Sequence, residues 1–164
     1  MSSKILYNKN TNKIVRCQPE PKGSATLPSF EALCKSARVA ENDKQYMDSV
    51  MIDSDYLTKQ AQKQLRIIEI NKKIEVKNKP KVNLSVNYSE IFAGETIKLS
   101  IEITEVLEID NFEIVKMKIN DIEFTVPIEN NQGVKEIELQ EPDIYKISCT
   151  DHRFISQLVE VEVI

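Results

Sequence analysis

The feature that most constrains the fold is an alternation of apolar and polar residues with a period of two, which runs through residues 80–164. Successive side chains of a strand point to opposite faces, so this pattern predicts strands with one dry and one wet face. Two sheets of such strands must cover each other, which predicts a β-sandwich. The alternation occupies seven segments: Val82–Tyr88, Ile97–Ile103, Val115–Ile119, Ile122–Ile128, Ile137–Leu139, Tyr145–Cys149 and Val159–Val163.

Seven short strands with turns between them are the number found in immunoglobulin-like sandwiches. Pro127 lacks an N–H group, which predicts that its strand lies at the edge of a sheet. Asn120 and Asp121 separate two alternating segments and are predicted to form a two-residue hairpin turn.

Residues 1–79 lack this regular alternation and are predicted to form a small α+β module of hairpins and short helices. The polar joint Lys77–Lys81 places the boundary, giving a module of 1–79 and a sandwich of 80–164. Two hairpins are predicted, one of Lys4–Tyr7 and Lys13–Arg16, and one of Ile67–Ile70 and Ile74–Val76 around Asn71. A helix of about ten residues is predicted after the N-cap Ser29, with an apolar stripe of Phe30, Leu33, Cys34 and Ala37. A strand at Tyr46–Ile52 follows, and then a helix that is capped by Asp53 or Ser54 and runs through Leu57, Ala61 and Leu65.

The two halves of the chain carry opposite charge. Residues 1–79 hold 15 Lys/Arg and 9 Asp/Glu, a net of +6, whereas residues 80–164 hold 7 and 17, a net of −10. The lysines are scattered, without a dense basic block or interleaved aromatic residues, which disfavours nucleic-acid binding. The asymmetry instead favours oriented contacts between copies of the chain or with a neighbouring protein subunit.

Composition argues against several other classes of protein. No apolar stretch is long enough for a transmembrane helix, and the short apolar run at Ile5–Tyr7 does not resemble a signal-peptide core. We therefore expect synthesis in the cytoplasm and no insertion into a membrane. Cys17, Cys34 and Cys149 are odd in number and lack metal-ligand spacing, which predicts three free thiols.

Residues for catalysis are sparse. His152 is the only histidine and falls between two predicted strands, so it is interpreted as a turn residue. A loop with Glu105, Glu108, Asp110 and Asn111 offers oxygen ligands for Ca²⁺, but it lacks EF-hand spacing and is interpreted as a solvated acidic loop. We expect no catalytic residues, no cofactor-binding residues and no metal site. The acidic strand positions Glu136, Glu138, Glu160 and Glu162 are predicted to face solvent.

The second half of the chain resembles a bacterial immunoglobulin-like domain. The resemblance rests on residues 93–99, which are similar to the turn entering the second strand, on residues 118–124, which are similar to the central hairpin, and on residues 141–147. It implies that Tyr145 is a buried corner tyrosine whose hydroxyl bonds to the backbone. The chain has no Trp, and Leu99 and Ile147 stand where antibody domains carry the disulfide.

The first half resembles small tail and baseplate proteins of Gram-positive phages. Residues 5–15 are similar to the hairpin that opens many of them, with Asn12 in place of the usual Gly, and residues 67–75 are similar to a hairpin that often follows. Such proteins frequently end in an added sandwich domain. The resemblance implies a structural role in a phage or phage tail-like particle, and localisation to that particle after synthesis.

Three functions from different classes remain. The leading hypothesis is a non-enzymatic structural adaptor, which docks on protein subunits of a particle through its N-terminal module, with exposed Ile5, Tyr7, Ile14 or Val15 as the contact. The runner-up is a surface-binding module that adheres to a host glycan or protein. A small enzyme is disfavoured because no nucleophile, base and pocket can be assembled. Few aromatic residues, only Phe92, Phe112 and Phe154, lie outside the predicted inner faces, which favours the adaptor over a sugar-binding module.

Overall fold

The computed structural model describes residues 2–19, 26–52, 59–70 and 73–164, and it is rich in β-structure. The chain divides into two compact units, Met1–Asn78 and Lys79–Ile164. This division lies one residue from the boundary that the polar joint predicts.

The N-terminal unit combines a three-stranded antiparallel sheet in the order β2-β1-β3, a separate two-stranded hairpin β4-β5, and short helices. Its elements are β1 (Ser3–Asn8), β2 (Ile14–Pro19), α1 (Phe30–Ser36), a 3-10 helix (Glu41–Tyr46), β3 (Met47–Ile52), α2 (Lys59–Gln64), β4 (Leu65–Ile70) and β5 (Lys73–Asn78).

Helix α1 begins and ends for local chemical reasons. The Ser29 Oγ accepts a hydrogen bond from the Ala32 N–H at 3.2 Å, which confirms the predicted N-cap. Leu33 and Cys34 are buried, as the apolar stripe predicts. The helix is shorter than the ten residues expected because Arg38 adopts a left-handed φ of 57°, which ends the helical repeat.

Both faces of the first hairpin are covered within the N-terminal unit. One face buries Ile5, Tyr7 and Ile14 with residues of β3 and β4, and the other buries Leu6 against α1. The hypothesis that Ile5, Tyr7 and Ile14 form an exposed docking surface is therefore wrong, and Val15 is itself packed against the α1 cluster. Pairing between β1 and β3 supplies the cover that a partner subunit was expected to provide.

The second predicted helix is also corrected. Leu65 begins β4 rather than extending α2, because it pairs with Asn78 at the open end of the β4–β5 hairpin. The predicted capping residues Asp53 and Ser54, together with Leu57, lie outside the described residues, as does Asn71 in the predicted turn.

The C-terminal unit contains two sheets. One has five strands in the order β10-β9-β12-β14-β7, and the other has four in the order β11-β8-β6-β13. The strands are β6 (Lys81–Val86), β7 (Glu90–Ile91), β8 (Thr96–Thr104), β9 (Ile114–Ile119), β10 (Ile122–Pro127), β11 (Gln132–Glu138), β12 (Asp143–Cys149), β13 (Ile155–Ser156) and β14 (Val159–Val163).

Both sheets of this unit contribute to one core. Strand β8 shows the predicted alternation most fully, with four buried residues separated by more exposed ones. Burying one such aliphatic side chain stabilises the fold by about 1.5–3 kcal/mol. The buried core consists of Val82, Ile91, Ile97, Leu99, Ile101, Ile103, Val115, Met117, Ile119, Val126, Ile128, Leu139, Ile147, Phe154, Val161 and Val163.

Two local predictions for this unit are confirmed and one is wrong. Pro127 lies on β10, an edge strand, and Asn120 adopts a positive φ of 48° in the turn between β9 and β10. Tyr88, predicted to face the core, is 61% exposed. Strand β6 ends at Val86, and the Asn87 side-chain oxygen accepts from the Lys98 N–H at 2.7 Å, which caps the ladder before Tyr88.

We predict that a fragment comprising residues 79–164 folds alone and unfolds cooperatively. A fragment of residues 82–164 is the matched comparison: it lacks the buried Pro80, whose carbonyl oxygen accepts from the Ile155 N–H at 2.9 Å. It is expected to melt at a lower temperature. Circular dichroism and thermal unfolding measure both. Aggregation or non-cooperative melting of the longer fragment, while the whole chain stays folded, would show that the units depend on each other.

Candidate functional site

One side of the C-terminal unit is formed by two edge strands, β10 of one sheet and β11 of the other. Among the described strands, β10 pairs only with β9 in one sheet, and β11 pairs only with β8 in the other. The strands approach closely where the chain passes from one to the other. A Cβ on Gly133 would lie 2.6 Å from the Pro127 carbonyl oxygen, so only glycine allows this approach.

Away from Gly133 an apolar groove opens between the same two strands. Its cavity volume is about 450 Å³. Ile122 lies on the face of β10 that carries buried Val126, yet it is 70% exposed because no strand covers it there. The groove is lined by Ile119, Ile122, Phe124, Ile137, Leu139 and Tyr145, with Lys135, Glu136, Glu138 and Gln140 contributing polar groups.

Tyr145 forms one wall of the groove. Its hydroxyl donates to the Glu141 carbonyl oxygen at 3.1 Å, as the corner-tyrosine resemblance implies. The ring is only half-buried, in contrast to the burial expected: it packs against the core and also lines the groove. The hydrogen bond fixes the ring and therefore gives the groove a preformed wall.

The surroundings of the groove are acidic. Glu136 and Glu138 are exposed on β11, and Glu160 and Glu162 are exposed on β14, as predicted. Residues 79–164 hold 8 Lys/Arg and 17 Asp/Glu, a net of −9. An acidic surface around an apolar groove attracts a partner that carries basic residues beside its apolar ones.

The other residues considered for chemistry are not brought together. Glu105 forms an ion pair with Lys81 at 2.6 Å, and the Asp110 carboxylate accepts from the Leu107 N–H at 2.8 Å. The described residues contain no group of three or more metal-ligating side chains. His152 lies in an exposed turn after β12.

The three cysteines are free, as predicted, with Cys17 and Cys34 buried. Burial raises the pKa of Cys149 to about 11, so its thiolate is scarce at neutral pH. Within the described ranges, no helix is long and apolar enough to cross a membrane.

An ion pair with a buried carboxylate, which the sequence did not predict, lies at the β12–β13 turn of the C-terminal unit. The Asp151 carboxylate accepts from Arg153 Nε at 3.0 Å and from Arg153 Nη2 at 2.7 Å, and Nη2 also donates to the Ile114 carbonyl oxygen at 2.8 Å. The guanidinium lies 5.5 Å from the ring centroid of Phe112 and 5.3 Å from that of Phe154. The spacing of opposite charges in Asp151 and Arg153 was the only local signal.

This ion pair sets the protonation of Asp151. Burial of the carboxyl group opposes ionisation, but the hydrogen bonds and charge of Arg153 outweigh burial and lower the pKa of Asp151 below its usual value. Only 3% of the Asp151 side chain is exposed, so the loss of its charge removes a buried counter-charge from the partly exposed Arg153.

Two aromatic side chains of the same unit are exposed. Tyr88 and Phe92 flank the short strand β7, and they are 61% and 64% exposed. The small number of aromatic residues outside the inner faces was expected to favour an adaptor over a sugar-binding module. The two exposed rings weaken that argument, since an exposed ring is a stacking surface for a sugar. Phe154, by contrast, is buried in the core and contacts Phe112 edge-on at 4.7 Å.

Comparison with known proteins adds little. No family model matches the chain, and no curated protein matches it. Among solved structures, a polysaccharide lyase is similar to it at 16% sequence identity and a TM-score of 0.37. That match covers 56% of this chain and 14% of the lyase chain. A TM-score this low carries no argument about fold or activity.

We predict that Asp151→Asn destabilises the C-terminal unit by about 2–3 kcal/mol, slightly less than for a fully buried pair because Arg153 is partly exposed. Because the folded pKa of Asp151 is lowered, its stabilisation is present above the unfolded pKa of about 3.9 and is lost as pH falls through the folded value. Urea unfolding followed by NMR resonances of β8 at pH 3–7 measures both effects.

The matched control is Asp121→Asn, which removes an exposed carboxylate from the β9–β10 turn. Its effect is expected to stay within about 0.5 kcal/mol. Equal effects of the two substitutions, or an unchanged pH dependence in Asp151→Asn, would contradict the role assigned to the ion pair.

Proposed function

We propose that the chain is a non-enzymatic structural adaptor that joins protein subunits of a larger assembly, and that this assembly is a phage tail or a phage tail-like particle. In this proposal the C-terminal unit is an immunoglobulin-like sandwich that holds a neighbouring subunit, and the N-terminal unit docks the chain on the particle. The observation that carries the proposal is the apolar groove between β10 and β11.

The groove favours one mode of binding. An extended segment of a neighbouring subunit adds to the free edge of β10, because an edge strand offers unpaired backbone N–H and C=O groups. Alternate side chains of that segment then point into the groove and cover Ile122 and Phe124. Backbone hydrogen bonds supply register and the apolar side chains supply most of the affinity.

The charge of the unit narrows the choice of partner. The net charge of −9 of the whole C-terminal unit favours a segment whose remaining side chains are basic. Exposed charges are screened over about 8 Å at physiological salt, so they orient the encounter rather than hold the complex. The segment we propose is therefore apolar on one face and basic on the other.

The strand arrangement supports the immunoglobulin-like assignment. Of the seven main strands, the first, second and fifth share one sheet, and the third, fourth, sixth and seventh share the other. This division resembles the immunoglobulin-like one, except that the fourth strand lies beside the third. The corner hydrogen bond of Tyr145 is a second supporting feature.

The particle assignment has separate support. It rests on the resemblance of residues 5–15 and 67–75 to hairpins of phage tail and baseplate proteins. Because Ile5, Tyr7 and Ile14 are buried, the N-terminal unit docks through its exposed and predominantly basic surface.

A second candidate function is adhesion to a host glycan, and the exposed rings of Tyr88 and Phe92 favour it. Sugars stack on exposed aromatic faces, but these two rings line neither the apolar groove nor the cleft along β6, β8 and β11. The apolar groove is lined mainly by aliphatic and aromatic side chains, which suit the apolar side chains of a protein segment better than a sugar. Protein binding therefore remains the better explanation.

We predict that the intact chain cosediments with purified particles and that Ile122→Lys reduces its incorporation by at least about tenfold. A lysine in the groove removes apolar contact and repels a basic partner. Density-gradient fractions of particles, assayed for the chain by quantitative mass spectrometry, measure incorporation.

Ile109→Lys is the matched control, because Ile109 is 56% exposed and lies in the loop before β9, away from the groove. Its incorporation is expected to stay within twofold of the unchanged chain. If the intact chain stays out of particles but binds host glycan in a manner abolished by Phe92→Ala, adhesion replaces the adaptor function. Equal loss of incorporation in Ile122→Lys and Ile109→Lys would contradict the role of the groove, and it would leave the other parts of the proposal untouched.

A further inference from the structure

The N-terminal unit contains a second cleft, which is basic rather than apolar. It lies beside the edge strand β2 and helix α2 and has a cavity volume of about 240 Å³. Lys13, Arg16 and Lys63 contribute three positive charges to it, and none of the described residues that line it is acidic. Within the described ranges, no ion pair neutralises any of these three side chains.

The Arg16 side chain makes the cleft suited to a ligand that accepts hydrogen bonds. Its Nε is buried and has no hydrogen-bond partner among the described residues. A buried polar group without a partner costs about 1–3 kcal/mol, and more when it is charged. An oxyanion bound to the Arg16 guanidinium supplies acceptor oxygens to a side chain whose Nε lacks a partner among the described residues.

The surroundings of Arg16 keep it in place. Arg16 lies opposite Leu6 in the β1–β2 ladder, between the buried Ile14 and Cys17, while Lys13 forms a β-bridge with Arg66. The cleft is therefore built on strands that belong to the core of the unit. An arginine held in this way is preorganised for bidentate contact with an oxyanion.

We propose that this cleft binds a phosphate or sulfate group, with Arg16 as the principal donor and Lys13 and Lys63 as supporting charges. A tetrahedral oxyanion offers several oxygens to donors that converge from different directions. A single ammonium site would not discriminate between such anions and chloride, whereas the Arg16 fork does. The proposal does not depend on the groove of the C-terminal unit, because it concerns the other unit and other residues.

The test titrates the intact chain with sodium phosphate and with sodium sulfate at constant ionic strength, using chloride as the compensating anion. Binding is followed by calorimetry and by NMR shifts of the amides of residues 13–17 and 62–63. We expect saturable binding of phosphate or sulfate, with the shifts confined to the cleft. Shifts spread over all lysine-rich surfaces, or no saturation, would overturn the proposal.

Three variants distinguish a built site from general positive charge. Arg16→Gln and Arg16→Lys are both expected to weaken binding at least about tenfold, since neither retains Nε. Lys35→Gln removes the same charge from the exposed surface of α1 and is expected to change affinity less than twofold. A loss in Lys35→Gln equal to that in Arg16→Lys would overturn the role of Arg16. Melting temperatures of all three variants check that the unit stays folded.

A further arm identifies the source of the group. Methyl phosphate is titrated in place of inorganic phosphate. Equal affinity indicates that the cleft recognises a phosphate group attached to a larger molecule, whereas exclusion of methyl phosphate indicates the free ion. Failure of all three anions to bind contradicts the proposal, and it leaves the groove of the C-terminal unit unaffected.

Discussion

The close approach of two strand edges at Gly133 determines the shape of the C-terminal unit. Where glycine lets β11 reach the Pro127 carbonyl, the two sheets meet and the core is closed. Away from this point each strand pairs on one side only, β10 with β9 and β11 with β8, and Ile122 and Phe124 line a groove between them. One steric constraint therefore explains both a sealed core and an open apolar edge.

The same end of this unit, where Pro127 pairs with Ile114, is also held by charge and aromatic packing. Arg153 joins Asp151, the Ile114 carbonyl and two phenylalanine rings, so the sheets are held together at the β12–β13 turn. The apolar groove lies towards the other end of β10, where Ile122 pairs with Ile119 and Tyr145 forms one wall. A partner that recognises apolar side chains is directed to that end.

The alternation of apolar and polar residues predicted where the strands lie, but it predicted less well which strand faces are buried. Alternation in β8 identified which residues are buried, because both neighbours in the sheet and the opposite sheet extend over it. The same alternation assigned Tyr88 and Ile122 to the core, but both side chains are exposed. Periodicity shows which face of a strand a residue lies on, and it does not show whether another strand covers that face. The β1–β3 pairing and the contact of Arg153 with Phe112 join residues about forty positions apart, and no local pattern encodes them.

The central claim is that the groove beside β10 holds an extended segment of a neighbouring subunit. A cryo-electron microscopy reconstruction of the particle that contains this chain tests it most directly. The account predicts continuous backbone density paired with the free edge of β10, with a side chain of the neighbour packed over Ile122 and Phe124. A particle in which the groove faces solvent in every copy, while the chain is held through another surface, would contradict the account.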